Sequence, residues 1–316
     1  MKILVTGGAG FIGSNVVDAY IAAGHQVVVV DNLYSGKMEN LNPEASFYLM
    51  DIRAAELHKV LEHERPDVIN HHAAQISVPA SVEDPVFDAS INIEGFLNVL
   101  EGARNNGTRK IIFISSGGAI YGEAEEYPTS ESCPPQPLSP YAVSKSVSEN
   151  YLAFYRHQYG LDYTVLRYAN VYGPRQIPHG EAGVVAIFMD CLLNNQPCII
   201  YHFPEEPEGM IRDYCFVGDV VRANMMALET GTGMAFNIGT GSEIRTQALF
   251  DAIFRTMAKR VPLDEDLAVP ARALARKGDL SRSCLKIDLA REKLGWQPKN
   301  SLEEGLVKTL DWRIRD

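Results

Sequence analysis

Lys2-Ile-Leu-Val-Thr6-Gly7-Gly-Ala-Gly10-Phe-Ile-Gly13 opens the chain with five residues of strand character, three glycines at G-x-x-G-x-x-G spacing and the first turn of a helical pattern. An unbroken Ile-Leu-Val run suits a strand buried on both faces, as in a parallel sheet. Glycine permits the tight turn that follows, and the missing side chains let a pyrophosphate approach the backbone. The amino end of the next helix adds unpaired N–H groups and partial positive charge. A glycine-rich loop without a ligand would read the same way in isolation, so the surroundings decide.

Outward from this stretch, strand-like runs recur at residues 27–31, 47–50, 68–71, 110–115 and 164–168. Helical patterns separate them at 15–23, 54–64, 91–105 and 141–159. The alternation predicts an α/β fold, a Rossmann-type doubly wound parallel sheet. Asp31 closes the second predicted strand about 20 residues beyond the first. There a carboxylate hydrogen-bonds the adenosine ribose and repels a 2′-phosphate, so the pattern favours NAD over NADP. Asp51, after the third strand, is placed either to meet the adenine or to cap the following helix.

Beyond about residue 172 the rhythm becomes irregular. Gly and Pro cluster over 173–183, 204–209 reads as a surface loop, and helices are expected at 217–228, 247–257 and 302–312. No repeat, low-complexity tract or flexible linker interrupts the chain. The expected division is an NAD-binding domain over 1–171 and a smaller α/β carboxy-terminal substrate lobe over 172–316, with the chain crossing between them.

The 316 residues carry a net charge of -11, which opposes non-specific binding to nucleic acid or anionic membranes. An anionic small molecule stays compatible, because local dipoles and a few arginines outweigh net charge at one site. The five cysteines, Cys133, Cys191, Cys198, Cys215 and Cys284, are odd in number and form no C-x-x-C pair. Neither a disulfide framework nor a metal site is expected. The first strand leaves no room for a signal peptide, and no apolar run is long enough to span a bilayer. A cytoplasmic protein is the expectation.

Tyr141-Ala-Val-Ser-Lys145 sets a phenol and an ammonium four residues apart, on one face of a helix. A free tyrosine, with a pKa of roughly 10, is a poor base at neutral pH. A nearby lysine and a positive nicotinamide both favour the phenolate. The spacing also arises by chance on amphipathic helices; here it gains weight by following a dinucleotide fold.

Together these residues resemble the extended short-chain dehydrogenase/reductase family, in its NAD-dependent epimerase/dehydratase branch, and within it the UDP-glucose 4-epimerases. The resemblance runs over nearly the whole chain: the glycine turn, Asp31-Asn32, Asp51-Ile52, His72-Ala73-Ala74, Asn92, Ser115-Ser116, Tyr121-Gly122, Tyr141 with Lys145, Arg167-Tyr-Ala-Asn170-Val-Tyr-Gly-Pro174, Arg212-Asp213-Tyr214 and Gly278-Asp279. It implies that Gly7, Gly10, Phe11, Ile12 and Gly13 hold the NAD pyrophosphate. Asp31, Asn32, Asp51 and Ile52 would meet the cofactor too, and Ala73, Ala74 and Asn92 would line its channel. Lys145 would also hold the nicotinamide ribose. Asn170, Arg212 and Arg276 would bind the sugar diphosphate, although a solvated surface arginine is the plain alternative for the last two. The implied reaction loses nothing. Tyr141 takes the proton of the sugar 4-hydroxyl while C4 is oxidised, the 4-keto sugar turns in the site, and C4 is reduced on its other face.

The resemblance fails at one place. Relatives usually carry Ser or Thr four residues before the tyrosine here numbered Tyr121, and this chain has Gly117. Either Ser116 reaches in from the next position or water takes over; alternatively Ser116 only satisfies backbone groups at a strand end. The acid pair that sugar 4,6-dehydratases carry at the places of Gly118 and Ala119 is missing, which disfavours dehydration and decarboxylation. Glu123, Glu125 and Glu126 read as a solvated loop.

Rival readings change the sugar to UDP-glucuronate, a UDP-N-acetylhexosamine or a pentose, with the segment 175–182 lining the pocket and Arg175 either binding a carboxylate or serving the fold. A non-catalytic NAD sensor is a further reading. The resemblance also implies a homodimer built on helices 91–105 and 141–159, where Phe96, Leu97, Leu100, Tyr151 and Phe154 fit either the contact or the core.

Overall fold

The computed structural model describes residues 1–178, 183–276 and 278–315. Its centre is a seven-stranded sheet: β1 (Lys2–Thr6), β2 (Gln26–Asp31), β3 (Ser46–Leu49), β4 (Val68–His71), β5 (Lys110–Ser116), β6 (Asp162–Tyr168) and a last strand, Met234–Ile238. From one edge the order is the last strand, β6, β5, β4, β1, β2, β3, and every pairing is parallel. The chain winds outward from β1 to β3, then returns to β4 on the other side of β1. That reversal opens a crevice at the carboxyl ends of β1 and β4, where ligands of such sheets bind.

Strand side chains alternate between the two faces. Ile3, Val5, Val27 and Val29 pack with Val16, Val17 and Tyr20 of α1 (Phe11–Ala22) and with the helix Val217–Ala227. Leu4, Val28 and Ile69 pack on the other face with α2 (Leu57–Glu64) and with helices described next. Two short helices, α3 (Val78–Glu83) and α4 (Pro85–Ala89), lead through a π-helical stretch, Ser90–Gly95, into α5 (Phe96–Asn105). A single turn, α6 (Gly117–Ile120), leaves β5, and α7 (Pro140–Tyr159) follows. Phe96 and Leu100 are both 0% exposed within the second core. They belong to the fold and not to a dimer contact, because α5 turns them onto the sheet; Phe154 is exposed.

Local chemistry explains where α7 starts and stops. Ser139 accepts from the Ala142 N–H at 3.2 Å, Pro140 occupies the first turn, and Gly160 closes the helix at φ 72°. Tyr141 is thereby set in the first turn, with Lys145 one turn further on.

The helices Val184–Leu193, Thr246–Ala258 and Leu302–Arg313 surround a third core containing Phe188, Phe250 and Leu306. Beside them, Ile199–His202 pairs in parallel with Ala271–Leu274. From this lobe the chain returns to supply the helix Val217–Ala227 and the seventh strand, so the main layers draw on two separate stretches of sequence. Among the described residues, no helix is long and apolar enough to cross a membrane.

Candidate active site

The glycine turn is shaped by what it must avoid. Gly7 has φ 69°, and a Cβ there would stand 2.7 Å from the Ala73 nitrogen. A Cβ on Gly13 would overlap the Gly7 carbonyl oxygen. Gly10 caps α1 without a side-chain bond, so the amino-terminal N–H groups of Phe11, Ile12 and Gly13 have no acceptor within the helix. A small cavity of about 100 Å³ opens beside Phe11, with Ser35, Lys37, Ile76 and Arg175 in its wall.

Asp31 lies at the end of β2, buried, with Oδ2 accepting from the Ala9 N–H at 2.9 Å and Oδ1 from the Leu33 N–H at 2.8 Å. Its carboxylate is therefore fixed directly beside the glycine turn. Asp51 does not cap a helix, since α2 begins only at Leu57. Arg53 binds both oxygens at 2.9 Å and Asn32 donates to Oδ2 at 3.1 Å. The Arg53 guanidinium holds the Asp51 carboxyl down at about 2. Ile52 is 5% exposed and its side chain belongs to the core. Asn92 spends its amide within the protein: Oδ1 accepts from the Gln75 N–H, while Nδ2 donates to the Gln75 carbonyl and to Asp88 Oδ1. It clamps the segment carrying Ala73 and Ala74, and the Ala73 N–H reaches Thr6 Oγ1 at 3.2 Å.

Tyr141, Lys145 and Ser116 do converge. Burial pushes the Tyr141 phenol up to about 12, and the adjacent Ser116 hydroxyl pulls it back down by hydrogen bonding. Ser116 makes no capping bond to α6, so its hydroxyl is not consumed by the backbone there. The Lys145 ammonium donates to the Ile114 carbonyl at 2.9 Å and lies 5.9 Å from the centre of the Tyr141 ring. Burial lowers it to about 8, opposed by the charges of Asp88 and Glu149. A Cβ on Gly117 would point at Leu285, 2.6 Å from Cδ1, away from this cluster. A Cβ on Gly118 would stand about 4 Å from Ser116 Oγ, Asn170 Oδ1 and Ser283 Oγ.

Asn170 and Arg212 lie on the short strands Asn170–Tyr172 and Ile211–Arg212, and Asp213 is the residue between Ile211–Arg212 and the strand Tyr214–Phe216. Asp213 points inward, where its carboxylate accepts from the Thr240 N–H and hydroxyl, the Gly241 N–H and the Leu285 N–H. Burial still raises its pKa. Its carbonyl accepts from the Asn170 N–H at 2.9 Å, which places Asn170 alongside, exposed. Arg212 points the other way and donates to the Ile211 and Leu280 carbonyls, both at 2.8 Å. Arg276 stacks on Tyr201 at 4.5 Å and approaches Asp279 at 3.4 Å. Neither arginine is a loose surface side chain. Arg175 pairs with Asp18 at 2.7 Å and also stands in the wall of the cavity beside Phe11. His179, Gly180, Glu181 and Ala182, the rest of that predicted pocket lining, lie outside the described residues.

Sequence reasoning passed over what stands beneath the cluster. Glu149 receives the Arg167 guanidinium on both oxygens, at 3.1 and 2.6 Å, and the Ser115 hydroxyl at 2.6 Å. Arg167 also donates to the Tyr121 hydroxyl, which donates in turn to Asn237 Oδ1, both at 2.8 Å. Glu149 stands one turn beyond Lys145, the only sequence signal of its part.

Residues 3–239 match the NAD-dependent epimerase/dehydratase family. The chain belongs to that family. A UDP-glucose 4-epimerase of Mycolicibacterium smegmatis is 46% identical over 318 residues, covering 99% of this chain and 98% of the relative. The crystal structure of a UDP-glucose 4-epimerase from Thermotoga maritima with UDP-glucose is 48% identical, with a TM-score of 0.93 over 100% of this chain and 99% of that one. A UDP-N-acetylglucosamine 4-epimerase from Methanobrevibacter ruminantium, in complex with UDP-N-acetylmuramic acid, is 35% identical, with a TM-score of 0.90 over 99% and 98%. The seven-stranded parallel sheet is the Rossmann-type fold of these family members. The glycines of the turn, the helix N–H groups without an acceptor in the helix and the fixed Asp31 carboxylate fit the dinucleotide that names the family.

Proposed function

We propose that the protein is an NAD-dependent 4-epimerase of a UDP-hexose, interconverting UDP-glucose and UDP-galactose. The observation that carries this reading is the meeting of Tyr141, Ser116 and Lys145 beside a dinucleotide cradle, with glycine at 118 where dehydration would need an acid. Gly7, Gly10, Phe11, Ile12 and Gly13 hold the NAD pyrophosphate and Asp31 its adenosine ribose, with Asn32, Asp51, Ile52, Ala73, Ala74 and Asn92 shaping the channel. Bound NAD supplies a reversible hydride acceptor for the sugar C4. Asn170, Arg212 and Arg276 hold the diphosphate, a task suited to bidentate guanidinium groups. Tyr141 takes the 4-hydroxyl proton and later returns it. The Ser116 hydroxyl hydrogen-bonds the phenolate and the sugar oxygen, and the Lys145 ammonium stabilises the anion. Each acts against the burial that keeps Tyr141 protonated.

A UDP-N-acetylhexosamine is the second reading, supported by the 35% identical relative of that specificity. Incubating the purified protein with UDP-glucose, UDP-glucuronate and UDP-N-acetylglucosamine, and resolving the C4 epimers, separates the two. UDP-galactose is the expected product, and Tyr141→Phe lowers its rate by about 10²–10⁴-fold. Dehydration, decarboxylation, or NAD exchange with no sugar converted would overturn the reading. A homodimer in the cytoplasm belongs to the same proposal. Exposed Val143 and Phe154 on α7 support the first, and five free cysteines the second. Light scattering that returned a monomer would remove the dimer.

A further inference from the structure

Asp88, on α4, is 0% exposed. Its Oδ1 accepts from Gln75 Nε2 and Asn92 Nδ2, each at 2.9 Å, and its Oδ2 from the Ser144 hydroxyl at 2.7 Å. All three donors are neutral. A carboxylate satisfied only by neutral groups carries its full charge into a low-dielectric interior, where it acts over several ångströms.

The groups it acts on are those of α7. Asp88 raises the pKa of Lys145 and that of Tyr141. The other carboxylate facing Lys145 is Glu149, whose two oxygens are already engaged by Arg167. His71 and His72, at the end of β4, also face Lys145, and burial holds both neutral. Among the described residues around Lys145, Asp88 thus brings a negative charge that no bonded cation offsets.

We propose that Asp88 is a positioning residue for the proton-transfer pair, locking α4 against α7 through Ser144 and serving as the counter-ion of the buried Lys145 ammonium. This deepens the epimerase reading and rests on it. With Asp88 in place, Lys145 keeps its proton through neutral pH and the phenol does not ionise prematurely.

Asp88→Asn removes the charge and little else. The amide oxygen still accepts from Gln75 and Asn92, and the Ser144 hydroxyl turns to accept from the new amide. Lysine labelled at ¹³Cε is titrated by NMR, the Lys145 signal being assigned by its loss in Lys145→Met. We expect that signal in Asp88→Asn to titrate lower by about one pH unit or more. Both limbs of the kcat–pH profile should move to lower pH together, because the missing charge had raised both pKa values. Asp88→Ser, a smaller neutral replacement, gives the same shift should the amide variant not fold. Ser144→Ala breaks one hydrogen bond, keeps the charge and leaves the lysine titration in place. A neutral variant that titrates as wild type, or a Ser144→Ala that shifts as far, would show a scaffold only and overturn the proposal. The titration needs no turnover. It therefore judges Asp88 even if no UDP-hexose is converted, the outcome that would sink the epimerase reading instead.

Discussion

Ser116→Ala and Gly117→Ser make a matched pair, because the family's usual hydroxyl position and the one this chain offers are neighbours. The Ser116 hydroxyl lowers the Tyr141 pKa by hydrogen bonding and makes no capping bond to α6. A hydrogen bond to a charged partner contributes about 1.5–3 kcal/mol. At about 1.36 kcal/mol per tenfold, Ser116→Ala should lower kcat by about 10- to 150-fold, with stability changed by about 0.5 kcal/mol or less. Without that bond the phenol titrates higher still, so the acid limb of the kcat–pH profile moves to higher pH. Gly117→Ser should fail to restore the family pattern. Its Cβ would stand 2.6 and 2.9 Å from the Leu285 methyls and 3.2 Å from the Arg167 carbonyl oxygen. Leu285 is buried against Ile120 and Tyr121, so it yields only by disturbing them, at a cost of about 1–3 kcal/mol. Stopped UDP-galactose assays across pH, with urea unfolding of each variant, measure all of this. Full turnover in Ser116→Ala, or recovery of activity in the Ser116→Ala/Gly117→Ser double variant, would refute the assignment.

Two further outcomes follow from the same geometry. Gly13→Ala drives a methyl into the Gly7 carbonyl, so the turn opens and the purified protein should lose most of its bound NAD, read by absorbance after acid release; normal cofactor content would show that the turn tolerates the side chain. Glu149→Gln leaves the Arg167 guanidinium, only 9% exposed, without its carboxylate and should cost about 3 kcal/mol of stability. Urea unfolding checks this, and a loss under about 1 kcal/mol would mean that the pair is well solvated.

The sheet was legible because its signal is local. β1 and β2 each carry a run of buried apolar residues, and Gly7 and Asp31 punctuate them. The glycine turn and the Tyr141–Lys145 spacing were legible for the same reason, since each fits within one or two helical turns. Phe96 and Leu100 were ambiguous for the opposite reason: one apolar stripe suits a core and an interface equally, and only the packing of α5 on the sheet decides. Asp51 misled as a possible cap because the helix starts six residues later, behind an Asp51–Arg53 turn.

By itself the sequence determined the α/β rhythm, the glycine turn and the pairing of Tyr141 with Lys145 on one helix face, all set by contacts within a few residues along the chain. The tertiary structure alone decided which carboxylates face Lys145 and Tyr141 and which stands beside Asn170. Asp88 meets Ser144 across 56 residues of sequence, and Asp213 reaches Leu285 across 72. A pKa depends on burial and on charges a few ångströms away in space, and neither quantity is written in the order of residues along one strand or helix.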